Sequence, residues 1–178
     1  FMVRVASLKD MVHANYKKKD IAGMTASEQL EKINERTREL VTLQYNTYNR
    51  SLVPLMHQHG IVVMDAFEDL SEAQAAFVDR YFEDNVYPVL TPMAVDASRP
   101  FPLIRNKTLN IAALLSKKKG KAEKEEIEFA TVQVPSVLPR LVHIPSEDGN
   151  EKTFILLEQV IERNIDKLFL NYDVLCAY

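Results

Sequence analysis

Glycine is scarce in this 178-residue chain: Gly23, Gly60, Gly120 and Gly149 are all there are, and they lie far apart. A backbone phosphate cradle needs glycines clustered within about six residues, so a Walker loop and a dinucleotide fingerprint are both excluded. Tryptophan is absent. A single cysteine, Cys176, rules out an intrachain disulfide and any multi-cysteine zinc site, and it fits a reducing compartment. Long apolar runs are missing as well. Stretches such as Ile111–Leu115 fall far short of the ~20 residues that span a bilayer. Arg4 and Lys9 interrupt the first apolar stretch, where a signal peptide would need continuity. Positive charge is not in excess: 22 basic and 25 acidic residues give −3, the wrong sign for a nucleic-acid-binding surface. What remains is 47% hydrophobic and 26% charged residues, as in a folded globular protein, and a length that suits one domain or two small ones.

Proline divides the chain. Residues 1–87 contain only Pro54, whereas residues 88–178 contain seven prolines. Because proline breaks helices and is confined to strand edges and turns, long helices belong in the first part. Charge shifts too, with ten basic and thirteen acidic residues in 1–88 and twelve of each in 89–178. These changes place a domain boundary near Tyr87–Thr91, separating residues 1–87 from residues 88–178.

Residues 1–87 read as three helices. Phe1, Val5, Leu8 and Val12 recur every three or four residues, so the chain opens inside an amphipathic helix. Thr25 and Glu28 match a capping box, and so do Ser71 and Gln74. Behind the first cap, the stripe Leu30, Ile33, Thr37, Val41, Tyr45, Tyr48, Leu52, Leu55 advances about 3.6 residues per step. Pro54 should kink this helix or end its regular part, and Gly60 should stop it. After a short extended Ile61–Met64, the second cap launches a helix with Phe77, Val78, Tyr81 and Phe82 on its buried face.

Residues 88–178 read as mixed α/β. Leu109–Ser116, Ile127–Val134 and Leu141–Ile144 are β-branched and apolar runs bounded by polar or proline-containing segments, as strands are. Lys117–Glu126, with five lysines and three glutamates, joins the first two as a long hairpin. Helical spacing returns at Leu157, Val160, Ile161, Ile165 and Leu168, and Val174–Tyr178 begins another strand. The expected class is α+β: a three-helix bundle, then a small mixed α/β domain with a mainly antiparallel sheet. Both ends look cut, since the chain opens in mid-helix and stops on an apolar strand that would need a pairing partner. This predicts a fragment of a longer protein.

No residue qualifies as catalytic, cofactor-binding or metal-ligating on spacing alone. His57 and His59 would face opposite sides of a helix with no third ligand near, and His13 and His143 are isolated. Cys176 has no adjacent base in sequence. The basic groups Arg105, Lys107, Lys117, Lys118, Lys119 and Lys121 are polyanion-binding candidates, because clustered cations act as point charges for phosphate. Against that reading, Glu123, Glu125 and Glu126 follow the lysines at once, as at a solvated hairpin tip. Phe101, Leu103 and Ile104 fit a linker packed on a sheet as well as a phosphate passage.

The segment YPVLTPMAVDASRPFPLIRNKTLNIAALL, residues 87–115, strongly resembles the polyphosphate kinase family, the large histidine-phosphorylating kind. Supporting stretches are FMVRVASL at 1–8, FATVQVPSVLPRLVHIP at 129–145 and FILLEQVIERNIDKLF at 154–169, in the family's order. The resemblance implies a parent enzyme that reversibly transfers the terminal phosphoryl group of ATP to polyphosphate, with magnesium, through a phosphohistidine. It also implies that residues 1–87 are most of an N-terminal helical domain and 88–178 much of a head domain engaged in homodimer contacts. The family's catalytic histidines lie in two C-terminal domains, so His13, His57, His59 and His143 do not inherit their role. The family's Asn-Asn-Leu-Asp-Glu-Phe motif, which reaches the nucleotide, would end just before Phe1, so no adenine contact falls on a residue here, although Phe1–Ala6 would adjoin that site. This chain alone is therefore expected to be inactive and to hold no cofactor, with ATP or ADP and Mg2+ used by the parent. Its expected partners are a second copy and the C-terminal domains, without nucleic acid or a transmembrane segment. Its expected place is the cytoplasm, or the inner face of the membrane as a peripheral protein. The rival reading is a stand-alone adaptor that binds phosphates or a partner through the Lys117–Lys121 hairpin.

Overall fold

The computed structural model describes residues 1–95, 101–117, 127–146, 149 and 151–178. They form two compact units, Phe1–Gln58 and His59–Tyr178. The first unit is helical. Helix α1 (Met2–His13) buries Leu8 completely and packs on α2 (Ala26–Thr47), whose first residue, Ala26, is also buried. Arg4 Nη2 donates to Gln29 Oε1 at 2.8 Å across the pair. The expected capping box starts α2: Thr25 Oγ1 accepts from Glu28 N, and Glu28 Oε2 accepts from Thr25 N at 2.7 Å. Those bonds to Thr25 favour the charged carboxylate and hold Glu28 below its ordinary pKa.

Ahead of Pro54 the regular part of the helix ends at Thr47, but the chain stays helical. A wide turn with i→i+5 bonding over Tyr48–Leu52 carries α2 into α3 (Val53–Gln58), with Val53 N donating to Tyr48 O. Proline lacks an N–H and its ring crowds the carbonyl four residues back. The wider turn relieves that clash, so the chain stays helical to Gln58. Gly60 follows in a turn at φ +67°, in the region glycine reaches without steric cost.

The second unit holds α4 (Glu72–Tyr81), α5 (Leu157–Arg163) and two sheets. The three-stranded sheet has the order β1 (Ile61–Val63), β6 (Lys152–Leu156), β5 (Leu141–Ile144). In it β1 runs parallel to β6, and β5 antiparallel. The other sheet, entirely antiparallel, has the order β2 (Pro92–Val95), β4 (Ile127–Gln133), β3 (Asn110–Lys117), β7 (Tyr172–Ala177). Alternation selects the inward side chains: Ile111, Ala113 and Leu115 from β3 and Ala130 and Val132 from β4 are all buried. They share one core with Val142, Ile144, Ile155, Val160 and Ile161. The class is thus mixed α+β with two mostly antiparallel sheets.

Three expectations change. The compact division falls after Gln58, not in the 87–91 stretch, because α4 and the turn after it send Val78, Phe82 and Val86 into the core of the sheets. Phe77, expected on the buried face, stays 37% exposed and stacks on Tyr81. The last strand finds a partner on one side within residues 1–178. It pairs with β3, and Tyr178 and Ala112 exchange both backbone bonds at 2.9 Å. Composition could not reveal this pairing, since β3 and β7 are joined only through residues more than fifty positions apart.

Candidate functional site

Residues 87–95 and 101–117 both belong to the second unit. Phe82 and Tyr87 meet edge to face, their ring centres 6.0 Å apart, and lead into β2 at the sheet edge, where Pro92 needs no ladder donor. Farther on, Phe101 stacks on Phe129 at 5.5 Å with an interplanar angle of 23°. A tight turn then presents two cations. The Arg105 carbonyl accepts from Thr108 Oγ1 at 2.8 Å and from Thr108 N at 3.4 Å. Asn110 Nδ2 donates to Thr108 Oγ1 at 2.9 Å, and Lys107 sits at φ +63°, an uncommon region for a residue with a Cβ. Val134 N donates to Leu109 O and ties the turn to the end of β4. The side chains of Arg105 and Lys107 are exposed, and no carboxylate among the described residues pairs with either.

Among the described residues, the basic candidates Arg105, Lys107 and Lys117 do not form one cluster. Lys117 closes β3, whose eight residues span about 26 Å at the usual rise, so it stands at the opposite end of the strand from Lys107. There it lies opposite Tyr172, whose hydroxyl donates to Glu128 at 2.8 Å, so an acid shares that end of the sheet. Lys118, Lys119 and Lys121 lie outside the described residues.

The histidines are dispersed. His13 ends α1, His57 lies in the last turn of α3, and His59 follows it outside the helix. His143 is on β5 with its ring edge-on to Phe154 at 5.3 Å. Cys176 lies on β7 opposite Leu114 and is partly buried. Among the described residues, no group of three or more His, Cys, Asp or Glu side chains is placed to hold a metal ion.

One feature escaped sequence reasoning. A cleft of about 420 Å³ is lined by Phe67, Glu68, Gln159, Glu162, Asp166 and Val174. Gln159 Oε1 accepts from Phe67 N at 3.0 Å and closes one wall. Partial burial raises the Glu162 carboxyl above its ordinary pKa, and the neighbouring Glu158 and Glu68 raise it further. Its acids would repel a phosphate chain. The lining comes from three separate stretches of sequence, so no local spacing announces it. Elsewhere in this unit an ion pair joins two helices: Arg163 grips Asp79 bidentately at 2.8 and 3.1 Å, linking α5 to α4 and holding the Asp79 carboxyl below its ordinary pKa.

Residues 73–178 match the polyphosphate kinase middle domain, and residues 1–64 match the polyphosphate kinase N-terminal domain. The polyphosphate kinase of Lactiplantibacillus plantarum is 50% identical over 174 residues, covering 98% of this chain and 23% of the relative. That of Halalkalibacterium halodurans is 47% identical over 175 residues, with 98% and 24% covered. The fold is similar to the crystal structure of polyphosphate kinase from Porphyromonas gingivalis, with a TM-score of 0.80 at 24% identity, over 98% of this chain and 25% of that one. The chain thus spans about a quarter of the length of the curated relatives it matches. With both family domains matched in order, the chain belongs to the polyphosphate kinase family.

Proposed function

We propose that the chain is the N-terminal and head portion of an enzyme that reversibly transfers the terminal phosphoryl group of ATP to inorganic polyphosphate through a phosphohistidine, and that this portion alone is non-catalytic. The observation that carries the reading is the ordered pair of family matches on a chain a quarter the length of its relatives. A phosphoryl-accepting imidazole needs cations positioned to hold the transferring group. The ring of His143 meets a phenyl, that of Phe154. In this reading no chemical step of the reaction falls on residues 1–178.

In this reading the helical unit supports the nucleotide site, and the sheet-rich unit, as the head, contributes to a homodimer. The exposed pair Arg105 and Lys107, on their pinned turn, guides polyphosphate by charge. The decisive experiment compares two purified proteins supplied with ATP and magnesium. The 178-residue chain should make no polyphosphate, and the full-length protein should make it. Synthesis by the short chain, or none by the long one, refutes the proposal.

A further inference from the structure

The apolar stripe of α2 and α3 is covered along only part of its length. Leu30, Ile33 and Thr37 are partly buried on the stretch of α2 where Arg4 of α1 reaches Gln29. Past them the same face continues uncovered: Leu40, Val41, Tyr45, Tyr48, Leu52 and Leu55 are each 42–63% exposed. Length explains the difference. Helix α1 has 12 residues, about 18 Å, whereas α2 through α3 runs about 50 Å. Six large side chains in a row on one helix face mark a surface that another element covers.

We infer that in the full-length protein this face, Leu40–Leu55, is the docking site of the protein's own polypeptide outside residues 1–178. The inference rests on the proposed reading of the chain as part of a longer kinase. Two observations choose this occupant. Some three-quarters of each curated relative lies beyond the matched region, so covalently attached polypeptide is abundant. The face is also a strip about 24 Å long and about 10 Å wide, one helix across. That is well below the ~800 Å² each partner contributes to a stable complex of separate molecules. An attached segment avoids most of the entropy lost when two molecules associate, so a strip this size is enough for it.

Thiol labelling of the full-length protein tests this in a Cys176→Ser background, with Arg36→Cys on the polar face of α2 as the accessible reference. Leu52→Cys, and independently Leu55→Cys, should react at least tenfold more slowly than the reference, with the ratio unchanged across a hundredfold range of protein concentration. The second position guards against a local packing defect at the first. Equal labelling rates overturn the inference. So does protection that appears only as concentration rises, which would assign the face to a second copy. Free labelling in a protein that still makes polyphosphate sinks this inference and leaves the proposed function standing.

Discussion

Glu162 stands half-buried on α5 with Glu158 one helical turn before it and Glu68 across the cleft. Burial, then these like charges, raise its folded pKa above the ordinary 4.5. Below that value the group is protonated in both folded and unfolded chains and has no effect on stability. As pH rises through 4.5 the unfolded chain releases the proton first, so folding is progressively disfavoured until the folded-state pKa is passed. Glu162→Gln should therefore stabilise the chain at pH 7, and the gain should vanish below about pH 4.5. Urea denaturation across this range measures it; a gain as large at pH 4 as at pH 7 would point to packing. Asp79 behaves oppositely. Its hydrogen bond from Arg163 lowers its pKa, so its contribution is present above the ordinary value of 3.8 and is lost in stronger acid.

At the scale of elements, two prolines are handled alike. Wide turns over Tyr48–Leu52 and Phe82–Val86 each end two residues before a proline, Pro54 and Pro88, and each closes with an i→i+5 bond to the following residue. The second turn matters most, because it carries Phe82 and Val86 into the core of the sheets. Gln74 adds a polar tie. Its Oε1 completes the cap of α4, and its Nε2 donates to Pro145 O at 3.0 Å, just past β5. Helix α4 is thus part of the sheet-rich unit. A chain of residues 59–178 should unfold in one cooperative transition, while residues 88–178 should not fold, having lost Val78, Phe82 and Val86 from the core at ~3–5 kcal/mol for the phenylalanine alone. Circular dichroism melts of the two chains decide this; cooperative melting of the shorter one would place the boundary near Tyr87 after all.

The whole molecule carries −3, a field that repels polyanions on average. Any attraction for polyphosphate must be local, and on the proposed reading the turn bearing Arg105 and Lys107 contributes to it. In the full-length enzyme, Arg105→Gln with Lys107→Gln should raise the KM for polyphosphate about threefold to tenfold, with a smaller effect as salt screens the charges. Steady-state kinetics at two ionic strengths would show it, and an unchanged KM at low salt removes the turn from that role.

Much of this architecture was legible residue by residue. Both capping boxes, the 3.6-residue stripe of α2 and the strands at 110–117, 127–133 and 141–144 are local patterns, written in neighbours a few positions apart. Local chemistry also named Arg105 and Lys107 as exposed cations. Spacing could not tell that Lys117 stands a strand's length from them, because distance along an extended strand depends on the strand forming.

By itself, then, the sequence determined where most helices and strands form, though not β2 or β6, together with the family and the absence of a glycine-rich phosphate cradle, since each rests on short-range spacing or residue type. Only the tertiary structure decided that α4 joins the sheets, that β7 closes against β3, that Glu68 meets Glu162 in a cleft, and that half of a long apolar stripe stays bare. Those outcomes depend on which surfaces meet after long loops close, a competition among packing arrangements that neighbouring residues do not encode.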